Sequence, residues 1–244
     1  LEKEGLAPLS PAKLVPSGGW LRRLWTIRRP RVALIVADGM IAQGESKRRG
    51  GRRQLLGHRS LAAQLQAARK HRKVKAVVLR INSPGGSSLA SDLLWREIVR
   101  LREKKPVIVS LGNVAASGGY YLATGASEII AAGTTLTGSI GVVGGKFSIV
   151  SLLRRLRIGF DSVETSSRAG ISSPFSPLSE KERERLQNQM EEFYENLFLP
   201  RVADARLLSV EEVRPAAEGR VWTGSDALER NLLDRAGSLN DAIE

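Results

Sequence analysis

The chain has 244 residues, 42% hydrophobic and 26% charged, enough to bury the core of one large α/β domain. It contains no cysteine, which excludes disulfides, thiolate metal sites and a cysteine nucleophile. A net charge of +13, from 38 Lys+Arg against 25 Asp+Glu, raises nucleic acid and anionic membrane as partners. The basic clusters (Arg22 to Arg31, Lys47 to Arg53, Arg69 to Lys75) flank predicted strands and helices. No zinc-finger spacing or RNP-type strand accompanies them, so no nucleic-acid partner is expected.

Residues 1–30 hold Pro8, Pro11, Pro16, Gly18 and Gly19 and read as a linker or N-terminal arm, with Trp20, Leu21, Leu24 and Trp25 free to pack. A single domain is expected over 31–244. The start at Leu1, with no signal-peptide n-region, is expected of a fragment or processed product, any anchor lying upstream. No apolar run approaches the ~20 residues of a membrane span.

The run at 32–36 predicts a strand buried on both faces. Residues 42–57, rich in Arg and Gly, predict a mobile loop. Leu61, Leu65 and Ala68 carry a helix over 60–70, and 74–81 predicts a second buried strand. A helix over 87–102, with Leu89, Leu93, Ile98 and Leu101 as its apolar stripe, ends before Pro106. Then come a strand from Val107, a short helix over 116–124, a strand over 129–132, a helix over 149–156 and a strand over 160–164. Ser179 with Glu182 is a capping box opening a long helix to about Arg206, and Ser209 opens another. This alternation implies a mostly parallel sheet flanked by helices.

Two glycine-rich loops follow predicted strands: Asn82 to Ser87, and Gly112 to Tyr120. In such folds ligands bind beyond the carboxyl ends of strands, so both loops belong to the functional edge. Gly85 and Gly86 let bare backbone N–H groups approach a ligand and hold a developing oxyanion. Ser117, between Ala116 and Gly118 at a helix start, has room for an acyl group and a favourable dipole, as a nucleophilic serine requires. Either loop alone would read as a tight βα turn; the two together point to a nucleophile. Its base is missing. His58 and His71 lie in polar, Arg-rich surroundings upstream, Lys181 falls in the first turn of a charged helix, and Lys146 reads as an exposed loop lysine. Leu89, Ala115, Ala116, Val142 and Val143 could line an apolar groove or equally belong to the core. No metal or cofactor site is indicated.

Three ordered segments, Ile81 to Gly86, Ala115 to Tyr121 and Leu136 to Gly141, with the tail Gly219 to Gly224, Ala227 and Leu232 to Asp234, resemble the S49 family of serine–lysine peptidases, the signal peptide peptidase A group. The resemblance covers about 31–244. It implies a ClpP/crotonase-like α/β fold of repeated β-β-α units, a cyclic homo-oligomer (tetramer or larger), and degradation of remnant signal peptides at the bacterial inner membrane, the catalytic domain on its extracytoplasmic, periplasmic side. It makes Ser117 the nucleophile, places Gly85, Gly86 and Gly118 at the oxyanion and substrate site, and makes Ser139 the serine that holds the lysine base. That lysine is absent: Ala169 stands where short members carry it, and the neighbouring Arg168 cannot deprotonate. The chain therefore resembles the C-terminal half of the long tandem form, whose upstream half supplies lysine. The alternatives are an inactive S49-like scaffold or regulatory paralogue, and a crotonase-type acyl-CoA enzyme. The active-edge loops lack the carboxylates that acyl-CoA chemistry would use.

Overall fold

The computed structural model describes residues 30–49, 52–166 and 169–244. The expected arm over 1–30 lies outside them except for Pro30. The chain alternates strands and helices in this order: β1 (Arg31–Asp38), β2 (Met40–Ala42), β3 (Lys47–Arg49), β4 (Arg52–Gly57), α1 (His58–Lys70), β5 (Val74–Ser83), α2 (Ser88–Arg102), β6 (Val107–Ala116), α3 (Gly118–Ala123), β7 (Glu128–Ala131) and β8 (Leu136–Gly138). The second half is mostly helical: α4 (Val150–Arg155), α5 (Glu180–Phe193), α6 (Leu199–Arg206), α7 (Val210–Val213), β9 (Val221–Thr223), α8 (Gly224–Glu229), β10 (Arg235–Ala236) and α9 (Leu239–Ile243).

The main sheet runs β1-β5-β6-β7-β10, all parallel, with β8 parallel to β6 and β9 antiparallel to β8. Successive side chains of β5 take opposite faces. Val77, Leu79 and Ile81 join the main core with Leu61 and Leu65 of α1 and Leu94 and Ile98 of α2, whereas Val78 packs with Ile130 and Ala242 of α9. The mostly parallel, helix-flanked sheet is as the sequence implies.

Several local expectations are corrected. Strand β1 is at the sheet edge, so Val32, Leu34 and Val36 are exposed rather than buried on both faces. The expected loop over 42–57 instead holds the small sheet β2-β4-β3, since Met40 to Ala42 finds a parallel partner in β4. Helix α2 rolls its stripe by one position: Ala90, Leu94, Ile98 and Leu101 are buried, Leu89 and Leu93 exposed. Residues 160–164 form no strand, because no sheet edge reaches them; Phe160 stacks on Phe175 instead, centroids 4.1 Å apart. The long helix after Ser179 keeps its capping box and runs to Arg206 as expected, with one π-turn inside it, Tyr194–Phe198, just before Pro200, which has no N–H to continue the α ladder.

Candidate active site

Strand β6 splits its pairing. Ile108 to Ser110 pair with β7, while Val114 to Ala116 pair with β8 in the register Ala116↔Gly138. Two buried threonines hold that register: Thr135 Oγ1 donates to Gly112 O at 2.8 Å and Thr137 Oγ1 to Ala115 O at 2.7 Å. The next residue on each strand is a serine, so register alone sets Ser117 beside Ser139. Ser117 N donates to Gly138 O at 2.9 Å. On its other side, β8 is held by β9 (Thr137↔Trp222), whose Trp222 Nε1 donates to Ala216 O. That is how the distant tail segment reaches the site.

Both serines leave their strands with positive φ, 50° at Ser117 and 48° at Ser139. Such a conformation costs a non-glycine residue about 1–3 kcal/mol, so the surrounding structure must enforce it. Ser117 is the N-cap of α3, yet its side chain makes no capping bond. A serine there ordinarily spends its hydroxyl on the helix's first N–H groups. With ψ at −119°, the turn leaves both this hydroxyl and that of Ser139 unbonded among the described residues, at the wall of one cleft of about 860 Å³.

The first glycine loop closes over this turn. Gly85 has φ +103°, and a Cβ there would lie 2.9 Å from Ser117 Cβ and 2.8 Å from Gly118 N. No other residue type allows that approach. Strand β2 clamps the loop: Ile41 N donates to Gly85 O at 2.8 Å and Ser87 N to Ile41 O at 2.9 Å. A Cβ on Gly86 would meet Ile41 O at 2.1 Å. The Gly85 N–H is taken by Ser83 Oγ at 3.1 Å, so Gly85 contributes close approach, not a free donor. The N–H groups of Gly86 and Gly118 have no partner among the described residues, and both glycines line the cleft. Two unspent donors beside a free hydroxyl can hold a tetrahedral oxyanion.

Behind the turn, α3 is pinned on two sides. The buried Tyr120 hydroxyl donates to Leu232 O at 2.8 Å, and burial pushes its phenol well up. Tyr121 donates to Asp92, which also pairs with Arg201 and Arg96. Arg201 in turn lies 3.9 Å over the Trp95 ring.

Among the described residues no lysine or histidine lines the cleft. Lys146 Nζ donates to Gly170 O and Ser176 Oγ, both at 3.2 Å, and Lys181 is exposed. His58 Nδ1 accepts from Gly44 N, while His71 is exposed in its loop. Ala169 is likewise exposed, and Arg168 lies outside the described residues. The expected groove is rebuilt. Val142 and Val143 line it; Ala115 is core, and neither Ala116 nor Leu89 is in its wall. Its apolar wall comes instead from Tyr121, Met190, Phe193 and Phe198. Gln187, Met190, Glu191 and Tyr194 line it too, and their i, i+3, i+4, i+7 spacing is the signal that could have disclosed this face.

The model of peptidase family S49 matches residues 99–244. The chain belongs to peptidase family S49. It is 40% identical over 227 residues to the chloroplastic serine protease SPPA of Arabidopsis thaliana, spanning 90% of this chain and 33% of that protein. Protease 4 of Salmonella typhi is 40% identical over 213 residues, 87% of this chain and 33% of the relative. The chain thus spans about a third of the length of these S49 relatives. Among solved structures, a ClpP1 mutant from Listeria monocytogenes shares the fold at TM-score 0.57 and 15% identity, covering 91% of this chain and 98% of that one. The α/β fold is therefore ClpP-like, as expected.

Proposed function

We propose that this S49 domain carries the nucleophile of a serine–lysine endopeptidase, with the lysine supplied from outside these 244 residues. The observation that carries the reading is the turn at Ser117: a strained serine with an unspent hydroxyl, packed against Gly85, between the free N–H groups of Gly86 and Gly118. Ser117 attacks the scissile carbonyl, its proton passing to the incoming lysine amine, and the two amides hold the oxygen as it becomes an oxyanion. The lysine must be desolvated to be neutral. Ser139 accepts a hydrogen bond from the amine and aims it at Ser117. The relatives, about three times longer than the matched span, have room for a lysine-bearing half.

The substrates in this reading are remnant signal peptides, whose apolar side chains suit a wall of Tyr121, Met190, Phe193, Phe198, Val142 and Val143. The assembly is a homo-oligomer at the bacterial inner membrane, facing the periplasm, with no nucleic-acid partner. Exposed apolar residues between Val143 and Val163, including Phe147, Leu152 and Leu156, suit subunit contacts. Among the described residues no helix is long and apolar enough to cross a membrane.

The lysine-free cleft also favours a second reading, a non-catalytic S49 scaffold. Fluorophosphonate labelling of the full-length protein separates the two. The peptidase labels at Ser117, Ser117→Ala abolishes labelling and peptide cleavage, and removal of the lysine-bearing half slows both sharply. A full-length protein that neither labels nor cleaves is a scaffold. Equal cleavage by the isolated 244 residues would refute the external base.

A further inference from the structure

A second cavity, of about 330 Å³, shares no lining residue with the Ser117 cleft. It opens on the sheet face that carries α9, and its charged wall is Arg80, from the interior strand β5. Arg80 Nη1 donates to the fully buried Ser110 Oγ at 2.7 Å and to Leu111 O at 2.6 Å. Its other guanidinium donors have no partner among the described residues, and no carboxylate pairs with it there. Asp38, two positions along on the adjacent strand, accepts from Asn82 instead. Burial lowers the guanidinium pKa.

Among the described residues no acidic side chain lines the cavity. Four further side-chain donors do: the exposed Asn113 amide and Thr134 hydroxyl, both unpartnered among the described residues, and the hydroxyls of Thr135 and Ser238, spent on Gly112 O and Asp241. A half-buried cation is unfavourable until an anion joins it, and the planar fork of arginine matches carboxylate and phosphate oxygens. We propose that Arg80, Asn113 and Thr134 form an oxyanion-binding site, taking a carboxylate or phosphate group, on the opposite face from the core helices. Asn113 belongs to β6, which ends at Ala116 just before Ser117, so occupancy would stiffen the segment that delivers the nucleophile.

The probes are inorganic phosphate, N-acetyl-dialanine with a free carboxylate, and the same peptide as its amide, titrated at constant ionic strength against chloride. The readout is the ¹⁵N–¹H correlation spectrum of the Arg80 Nε–H and Asn113 amide groups. Saturable millimolar shifts with phosphate or the peptide acid, absent with the amide and with chloride, are expected. A response to the peptide acid assigns a peptide C-terminus as a source; a response to phosphate alone assigns a free oxyanion. Arg80→Met should abolish the shift at Asn113, Arg80→Lys should weaken it, and Asn113→Leu should weaken it at Arg80 with the arginine anchors intact. No saturable shift with either anion, or equal shifts at Asn113 in Arg80→Met, would overturn the site.

Discussion

Replacing Gly85 by alanine tests the architecture of the cleft without touching its chemistry. The new Cβ would lie 2.8 Å from Gly118 N, 2.9 Å from Ser117 Cβ and 3.0 Å from Ala116 O. Two of these atoms are backbone, so no side chain can swing aside. The φ of +103° adds about 1–3 kcal/mol for any residue with a Cβ. The strain is relieved by pushing the 116–118 turn back from the Gly85–Gly86 loop, which separates the Ser117 hydroxyl from one of its two oxyanion donors. Loss of one such donor costs about 10²–10³ in rate. Fluorophosphonate labelling of full-length Gly85→Ala should therefore slow by about 10²-fold, with a thermal destabilisation of about 2 kcal/mol. Gly145→Ala is the control, because nothing lies within 4 Å of a Cβ there, and it should label at the parent rate. An unchanged rate for Gly85→Ala in a folded protein would refute the oxyanion geometry.

Lys146→Met should leave cleavage and labelling intact, since the amine is held by Gly170 O and Ser176 Oγ; loss of labelling would make Lys146 the base. Arg201→Met removes the stack on Trp95 and a partner of the largely buried Asp92, and should cost about 3 kcal/mol in denaturant unfolding; a change well under 1 kcal/mol would show that Arg96 and Tyr121 suffice for Asp92. Backbone and side-chain hydrogen bonds from Ser179 and Ser209 hold the carboxyls of Glu182 and Glu212 below their usual range. A depressed folded pKa gives stability that is full above the unfolded pKa and lost as pH falls through the folded one. Melting temperature should accordingly fall on acidification below the normal glutamate range. The double variant Glu182→Gln/Glu212→Gln should flatten part of that acid limb, and identical limbs would refute the linkage.

Much was legible in the sequence because it is local. Leu61, Leu65 and Ala68 face the core as their spacing requires, the capping box at Ser179 forms as written, and a helix starts at Ser209. Glycine pairs beside a serine announced a tight backbone approach, since only residues lacking Cβ permit one. What no local pattern carries is pairing. Residues 42–57 read as loop because their partner strand is a tertiary neighbour, and 160–164 failed as a strand for want of one. The roll of α2 that exposes Leu89 and the edge position of β1 depend on what packs alongside. Most telling is the β6–β8 register. Ser117 and Ser139 stand 22 positions apart in the chain, and only a parallel ladder locked by Thr135 and Thr137 makes them neighbours.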